Sequence, residues 1–182
     1  MGTFAHTAFD TALGPVALAA TDVGIIRCSL PGSDPDSLVE EVIARTGLVP
    51  EEGGEMVDEA ADQVIAFLAG DLRDFNLDLD WRLIGGFNRK VLQATATIPY
   101  GETASYGEVA TLAGSPGAAR AAGTALSMNP IGLIVPCHRV IRSDGSTGGY
   151  GGGRAGTALK QRLLGLEDPR IPAWPGAVVS EK

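Results

Sequence analysis

Cysteine and histidine are scarce in this 182-residue chain: Cys28, Cys137, His6 and His138 are all it has. Two cysteines far apart rule out a disulfide-rich scaffold and fit a reduced, cytoplasmic protein. Nor do the four residues make a zinc set, so no metal is expected. No apolar run approaches the roughly 20 residues that cross a membrane, so no membrane partner is expected. The N-terminus has no basic region followed by a long apolar core, and no signal peptide is expected. A hydrophobic content of 45% and a mean hydropathy of +0.13 fit a soluble globular chain.

Positive charge is missing from the first part of the chain. Residues 1–80 hold 3 Lys+Arg against 16 Asp+Glu, a net of −13, whereas residues 81–182 hold 11 against 6, a net of +5, which together give the overall −8. A net charge of −8 argues, at face value, against nucleic acid. Phosphate attraction is local, however, and a basic face can work on an acidic protein. The charge balance changes beside Gly85-Gly86. That dipeptide is the expected boundary between an N-terminal domain (1–84) and a C-terminal domain (85–168), with a proline-rich tail at 169–182.

In the first part, turn signals at Leu13-Gly14-Pro15 and Asp22-Val23-Gly24 separate short apolar runs that read as strands. Residues 35–45 and 56–69 have helical spacing and end at Gly47 and Gly70. Phe75, Leu77, Leu79 and Trp81 alternate as in a half-exposed strand, whose aspartates would face outward and guard an edge. The fold class expected here is α/β, a small antiparallel sheet with helices.

The second part reads as mostly α. A helix over 87–97 ends before Pro99-Tyr100-Gly101. Ser105 and Glu108 have the spacing of a capping box, opening a helix that ends near Gly114. Ser115-Pro116 has the form of an N-cap and first helical position, starting a helix that runs to about Met128. Two short helices around a glycine turn are a winged-helix-like helix-turn-helix pattern. A glycine-rich loop (145–153) precedes a last helix at about 156–164, with Gly165 as its C-cap.

Chemistry concentrates in "IVPCHRVI", residues 134–141, which otherwise reads as a buried strand. A free thiol ionises near about 8.5, so it needs a base to act at neutral pH. His138 is adjacent, but neighbouring residues project differently, and a bridging water would carry the proton between them. Carboxylates that could orient the imidazole are few in this half, and Glu167, after the final helix, is a candidate. Taken alone, such a pair is also what a small buried hydrophobe beside a satisfied core histidine looks like. The second helix of the helix-turn-helix is slim, with Ala118, Ala119, Ala121, Ala122 and Gly123 around a single charge, Arg120. That composition suits tight core packing. It equally suits a helix entering a narrow groove, with Arg120 as a wedge in the base stack.

The stretch "IPYGETASYGEVATLAGSPGAARAAGTALSMNPIGLIVPCHRVIRSDGSTGGYGGG" strongly resembles the O6-alkylguanine-DNA alkyltransferases, also called methylated-DNA–protein-cysteine methyltransferases. The match is dense from Phe87 to Glu167. The resemblance implies a stoichiometric DNA repair methyltransferase that flips an O6-alkylguanine out of duplex DNA, bound through the minor groove. It moves the alkyl group irreversibly onto Cys137, and each molecule acts once. It implies His138 as base through a water, Glu167 as its orienting partner, and Asn129 as a hinge. Tyr106 would protonate the leaving guanine and help turn it outward, and Arg120 would fill the vacated stack. Ala121, Gly123 and Ser143 would face DNA. Val140, Tyr150, Gly151 and Gly152 would wall the base pocket. The resemblance calls for no cofactor and fits a monomer, with clustering of copies on DNA left open. The chain departs from many relatives at Leu92-Gln93, where they carry tryptophan, and at Gly151, where some have serine. Two other readings of the residues are a damage-sensing module, whose members lack the cysteine, and a helix-turn-helix transcription regulator.

Overall fold

The computed structural model describes residues 2–151 and 153–170. Gly152 and residues 171–182, most of the proline-rich tail, lie outside the described residues. The first half builds on strands β1 (Thr3–Thr11), β2 (Gly14–Ala20) and β3 (Ile25–Cys28), an antiparallel meander joined by the expected turns. A short fourth strand, β4 (Val49–Glu52), which the sequence signals did not mark, runs parallel to β1. The sheet order is β3-β2-β1-β4, so the sheet is mixed rather than wholly antiparallel.

Helices α1 (Pro35–Thr46) and α2 (Glu55–Ala69) pack on this sheet. Asp34 caps α1 and Pro35 occupies its first turn, a pairing that satisfies one free amide and presets φ. Val16 to Ala20 are all buried, so β2 is covered on both faces. Phe4, Leu18, Ile25, Leu38, Val42, Val64 and Phe67 lie at the centre of the core.

The alternating segment at 75–81 is not a strand. It is extended, but it makes one bridge, between Leu79 and Ile25. Its last aspartate does not face outward: Asp80 is buried, accepts from Thr21 Oγ1 at 2.5 Å, and caps the 3-10 turn Trp81–Leu83. The alternation recorded burial, with no partner strand to complete a ladder.

The second half packs α3 (Gly86–Thr95), α4 (Tyr106–Leu112) and α5 (Ala119–Ser127) against one another, with α4 and α5 as the helix-turn-helix pair. The capping box forms as the sequence indicates, Ser105 Oγ accepting from Glu108 N and Glu108 from Ser105 N. The expected cap at Ser115 does not form. Gly117 sits at φ +85, which breaks the helical path, and α5 begins at Ala119. A two-residue parallel ladder joins β5 (Ala104–Ser105) to β6 (Val140–Ile141). The last helix, α6 (Gly153–Glu167), passes through Gly165 instead of ending there, which carries Glu167 on its final turn.

Candidate active site

The cysteine is mounted on a segment that both halves hold. Cys28 N donates to Pro130 O (2.9 Å), and Gly132 N donates to Cys28 O (2.9 Å). Arg27 Nη1 donates to the same Pro130 carbonyl at 2.7 Å. Residues 131–140 are buried throughout. Within them Leu133 holds φ +64, a left-handed backbone that costs an L side chain about 1–2 kcal/mol. Such a torsion persists only where the surroundings over-determine it. The expected strand here is instead this irregular run, then a 3-10 turn, Cys137–Arg139, then β6. The apolar run signalled burial, which a strand and a packed loop share.

The 3-10 turn separates Cys137, which lines a cavity of about 640 Å³, from His138 and Arg139, which are buried and reach Glu167. Asn129 Nδ2 donates to Cys137 Sγ at 2.8 Å and also lies 3.1 Å from Val135 O, while its Oδ1 accepts from Ile131 N at 2.9 Å. One amide thus ties the end of α5, the following turn and the sulfur together. Burial pushes the Cys137 thiol up to about 12, with the Asn129 bond and the Lys160 charge pulling it partly back. The resting group is therefore a thiol, and reaction requires its proton to leave.

His138 Nε2 lies 2.6 Å from Glu167 Oε1. Arg139 Nε reaches Glu167 Oε2 at 2.9 Å and its Nη2 reaches Oε1 at 3.0 Å. Burial raises the Glu167 carboxyl, but hydrogen bonds from His138 and Arg139 and their charges outweigh it, and the net shift is downward. Glu167 is then an anion that can only accept, so Nε2 carries the imidazole hydrogen and Nδ1 holds the lone pair. That Nδ1 is buried, with no hydrogen-bond partner among the described residues. Burial lowers the His138 pKa despite Glu167, which keeps the ring neutral, with its Nδ1 lone pair free to accept.

Tyr106 opens α4 directly after the capping box. Its ring rests on α5 at Gly123, where a Cβ would lie 3.6 Å away. Its hydroxyl faces Gly148, where a Cβ would come within 2.7 Å, so the loop can approach only as glycine. Burial raises the Tyr106 pKa, leaving the phenol protonated and able to donate.

Among the expected residues, Cys137, Asn129, Tyr106, Arg120, Gly123, Tyr150 and Gly151 line the cavity. His138 and Glu167 lie off the lining as a buried, hydrogen-bonded pair. Val140, expected on the wall, is fully buried behind it, its carbonyl accepting from Lys160 Nζ at 2.5 Å. Ala121 and Ser143 are exposed and lie off the lining, and Gly152 lies outside the described residues.

Sequence reasoning missed three contributors. Arg139 locks the carboxylate, donates to Ile98 O at 2.6 Å and lies over the Tyr100 ring. Lys160, one helix turn pair from Glu167 on α6, is buried with its amine near the Tyr106 and Tyr150 rings. Burial lowers its pKa to about 8, with Cys137 pulling the other way. Leu30 lines the cavity from the N-terminal half. The available signal was a lone lysine on an apolar face of the last helix; nothing local marked Leu30.

Fold and site together define a class: a helix-turn-helix protein with a buried cysteine on the wall of an open cavity and an imidazole–carboxylate pair behind it. The family model for 6-O-methylguanine DNA methyltransferase, DNA binding domain, matches residues 86–169. The methylated-DNA–protein-cysteine methyltransferase of Mycobacterium tuberculosis H37Rv is 42% identical over 170 residues, covering 92% of this chain and 94% of that one. The Mycobacterium leprae protein of the same name is 46% identical over 165 residues, 89% and 91% of the two chains. The crystal structure of M. tuberculosis OGT in complex with DNA matches at TM-score 0.74 and 40% identity, covering 93% of this chain and 96% of that one. The chain belongs to the methylated-DNA–protein-cysteine methyltransferase family. Among the described residues, no helix is long and apolar enough to cross a membrane.

Proposed function

We propose that this protein repairs duplex DNA by taking the alkyl group of O6-alkylguanine onto Cys137, once per molecule, in the cytoplasm. The observation that carries this is a thiol on a cavity wall with a neutral imidazole behind it, its proton-accepting nitrogen left free by the Glu167 bond. In this reading 1–84 is a scaffold domain, 85–168 binds DNA and performs the transfer, and 169–182 is a tail.

The proton balance follows from the charge states. A water passes the thiol proton to His138 Nδ1, and Glu167 stabilises the imidazolium. The sulfur attacks the alkyl carbon, the S–C bond forms, and the bond from that carbon to O6 breaks with its electrons leaving on guanine. Tyr106 supplies a proton to the base at N3, so guanine departs neutral, and His138 restores the phenol proton through solvent. Asn129 holds the sulfur in line through its hydrogen bond. The thioether formed has no easy leaving path.

Reaching a base in a duplex requires extruding it. Arg120, exposed at the cavity rim on slim α5, would fill the gap in the stack from the minor groove. Ala121, Gly123 and Ser143 would lie against DNA. Tyr150, Gly151, Gly152 and the backbone of Val140 would hold the guanine. The protein works as a monomer in this account.

The test is mass spectrometry after incubation with duplex O6-methylguanine. Cys137 should gain one methyl, and Cys137→Ser none. A wild-type protein that gains nothing removes the reading.

A further inference from the structure

The one cavity-lining residue that the first half of the chain contributes, among those described, is Leu30. It stands two residues past β3, whose end is hydrogen-bonded to Pro130 and Gly132. The backbone bearing Leu30 is therefore tied to the segment that leads into Cys137.

Its terminal methyls fill two gaps. A Cβ on Gly132 would lie 2.7 Å from Leu30 Cδ2, and a Cβ on Gly151 would lie 2.9 Å from Leu30 Cδ1. The isobutyl group thus spans the space between the turn before Cys137 and the loop after Tyr150. Neither glycine has a side chain with which to form a wall of its own. Elsewhere the lining mixes polar side chains, Arg120, Ser127, Asn129 and Arg142, with Ala119 and Leu126 of α5 and several glycines.

We propose that Leu30 is a specificity-determining residue: it closes the apolar side of the cavity and sets how large an O6-alkyl group can lie beside Cys137. This rests on the reading of the cavity as the O6-alkylguanine site. In the transfer, the attacked carbon must approach Sγ with the guanine oxygen opposite, so any remaining alkyl chain projects sideways. A methyl group has no such extension. A larger group must enter apolar space, and here Leu30 bounds that space.

The experiment compares transfer from O6-methylguanine and O6-benzylguanine placed in the same duplex sequence. Wild type, Leu30→Ala and Leu30→Trp are each measured with both, and the benzyl-to-methyl rate ratio is read. A ratio within one preparation is insensitive to the fraction of active protein. Single-methylene differences in apolar pockets are worth about tenfold or more, so the ratio should rise by about tenfold in Leu30→Ala and fall by about tenfold in Leu30→Trp. Methyl transfer in both variants with ratios within about twofold of wild type overturns the role of Leu30 and leaves the repair reading standing. Should Leu30→Ala not fold, the Trp variant decides alone. A wild type that moves neither group to Cys137 ends the reading of the cavity, and the proposal with it.

Discussion

His138 Nε2 and Glu167 Oε1 are 2.6 Å apart in a site where both side chains are almost fully buried. The pair fixes the imidazole tautomer, and Arg139 on the same carboxylate fixes its charge. A single carboxylate thus accepts from both side chains.

Glu167→Gln keeps the volume and removes the charge. An amide can donate as well as accept, so it no longer specifies the tautomer, and Arg139 is left buried without its anion. Single-turnover methyl transfer should slow by about 10²-fold or more. Removing one partner of a buried ion pair costs about 3–5 kcal/mol, which thermal unfolding should report. Normal rate and stability together would contradict the relay.

The pH dependence of stability has a definite sign. The Glu167 pKa is lowered on folding, so its contribution is complete above the unfolded carboxylate pKa and is lost as pH falls through the lower folded value. The His138 pKa is also lowered, so the unfolded chain takes up a proton first as pH drops below about 6.5. Both effects make the fold acid-labile. The denaturation midpoint should drop between neutral pH and pH 4, and less steeply in a His138→Phe variant.

Cys137, pushed up to about 12, should behave as a thiol through the neutral range. Its alkylation by iodoacetamide, followed by peptide mass spectrometry, should accelerate about tenfold per pH unit from 7 to 10. A plateau below pH 8.5 would mean that the resting protein already holds a thiolate.

Asn129→Ala removes the donor at the sulfur and the bonds to Ile131 and Val135. Unmade buried hydrogen bonds cost about 1–3 kcal/mol. Methyl transfer should slow by about tenfold to a hundredfold, and iodoacetamide labelling of Cys137 at fixed pH should slow as well, because the bond favours the anion. Faster labelling would assign Asn129 to shielding instead.

Arg120→Ala separates base extrusion from chemistry. Repair in a duplex should fall markedly, while reaction with free O6-benzylguanine stays close to normal, since only the duplex must be opened. Equal losses on both substrates would remove the wedge role.

The parts legible in the sequence were local ones. The capping box at Ser105 and Glu108 is complete within four residues, and it formed as written. Ser115-Pro116 carried an equally good signal and lost to the torsion at Gly117. Cys137, His138 and Glu167 could be nominated because few other groups could do their chemistry. Lys160 and Leu30 could not, since their importance lies in what folding brings beside them. The segment at 75–81 shows the same limit: its alternation is real, but strand formation depends on a partner elsewhere in the chain.

The bond from Arg27 to Pro130 spans 103 residues. Contacts of such separation form against a loop-closure entropy, and they belong to the slow part of folding. The relay residues, by contrast, all come from one stretch of about thirty residues, His138 to Glu167. The reactive group thus draws on local material, whereas the chamber around it closes only when β3 docks on the segment at 130–132. Protection of the Cys28 and Gly132 amides from hydrogen exchange therefore reports closure of the chamber, separately from assembly of the group behind the sulfur.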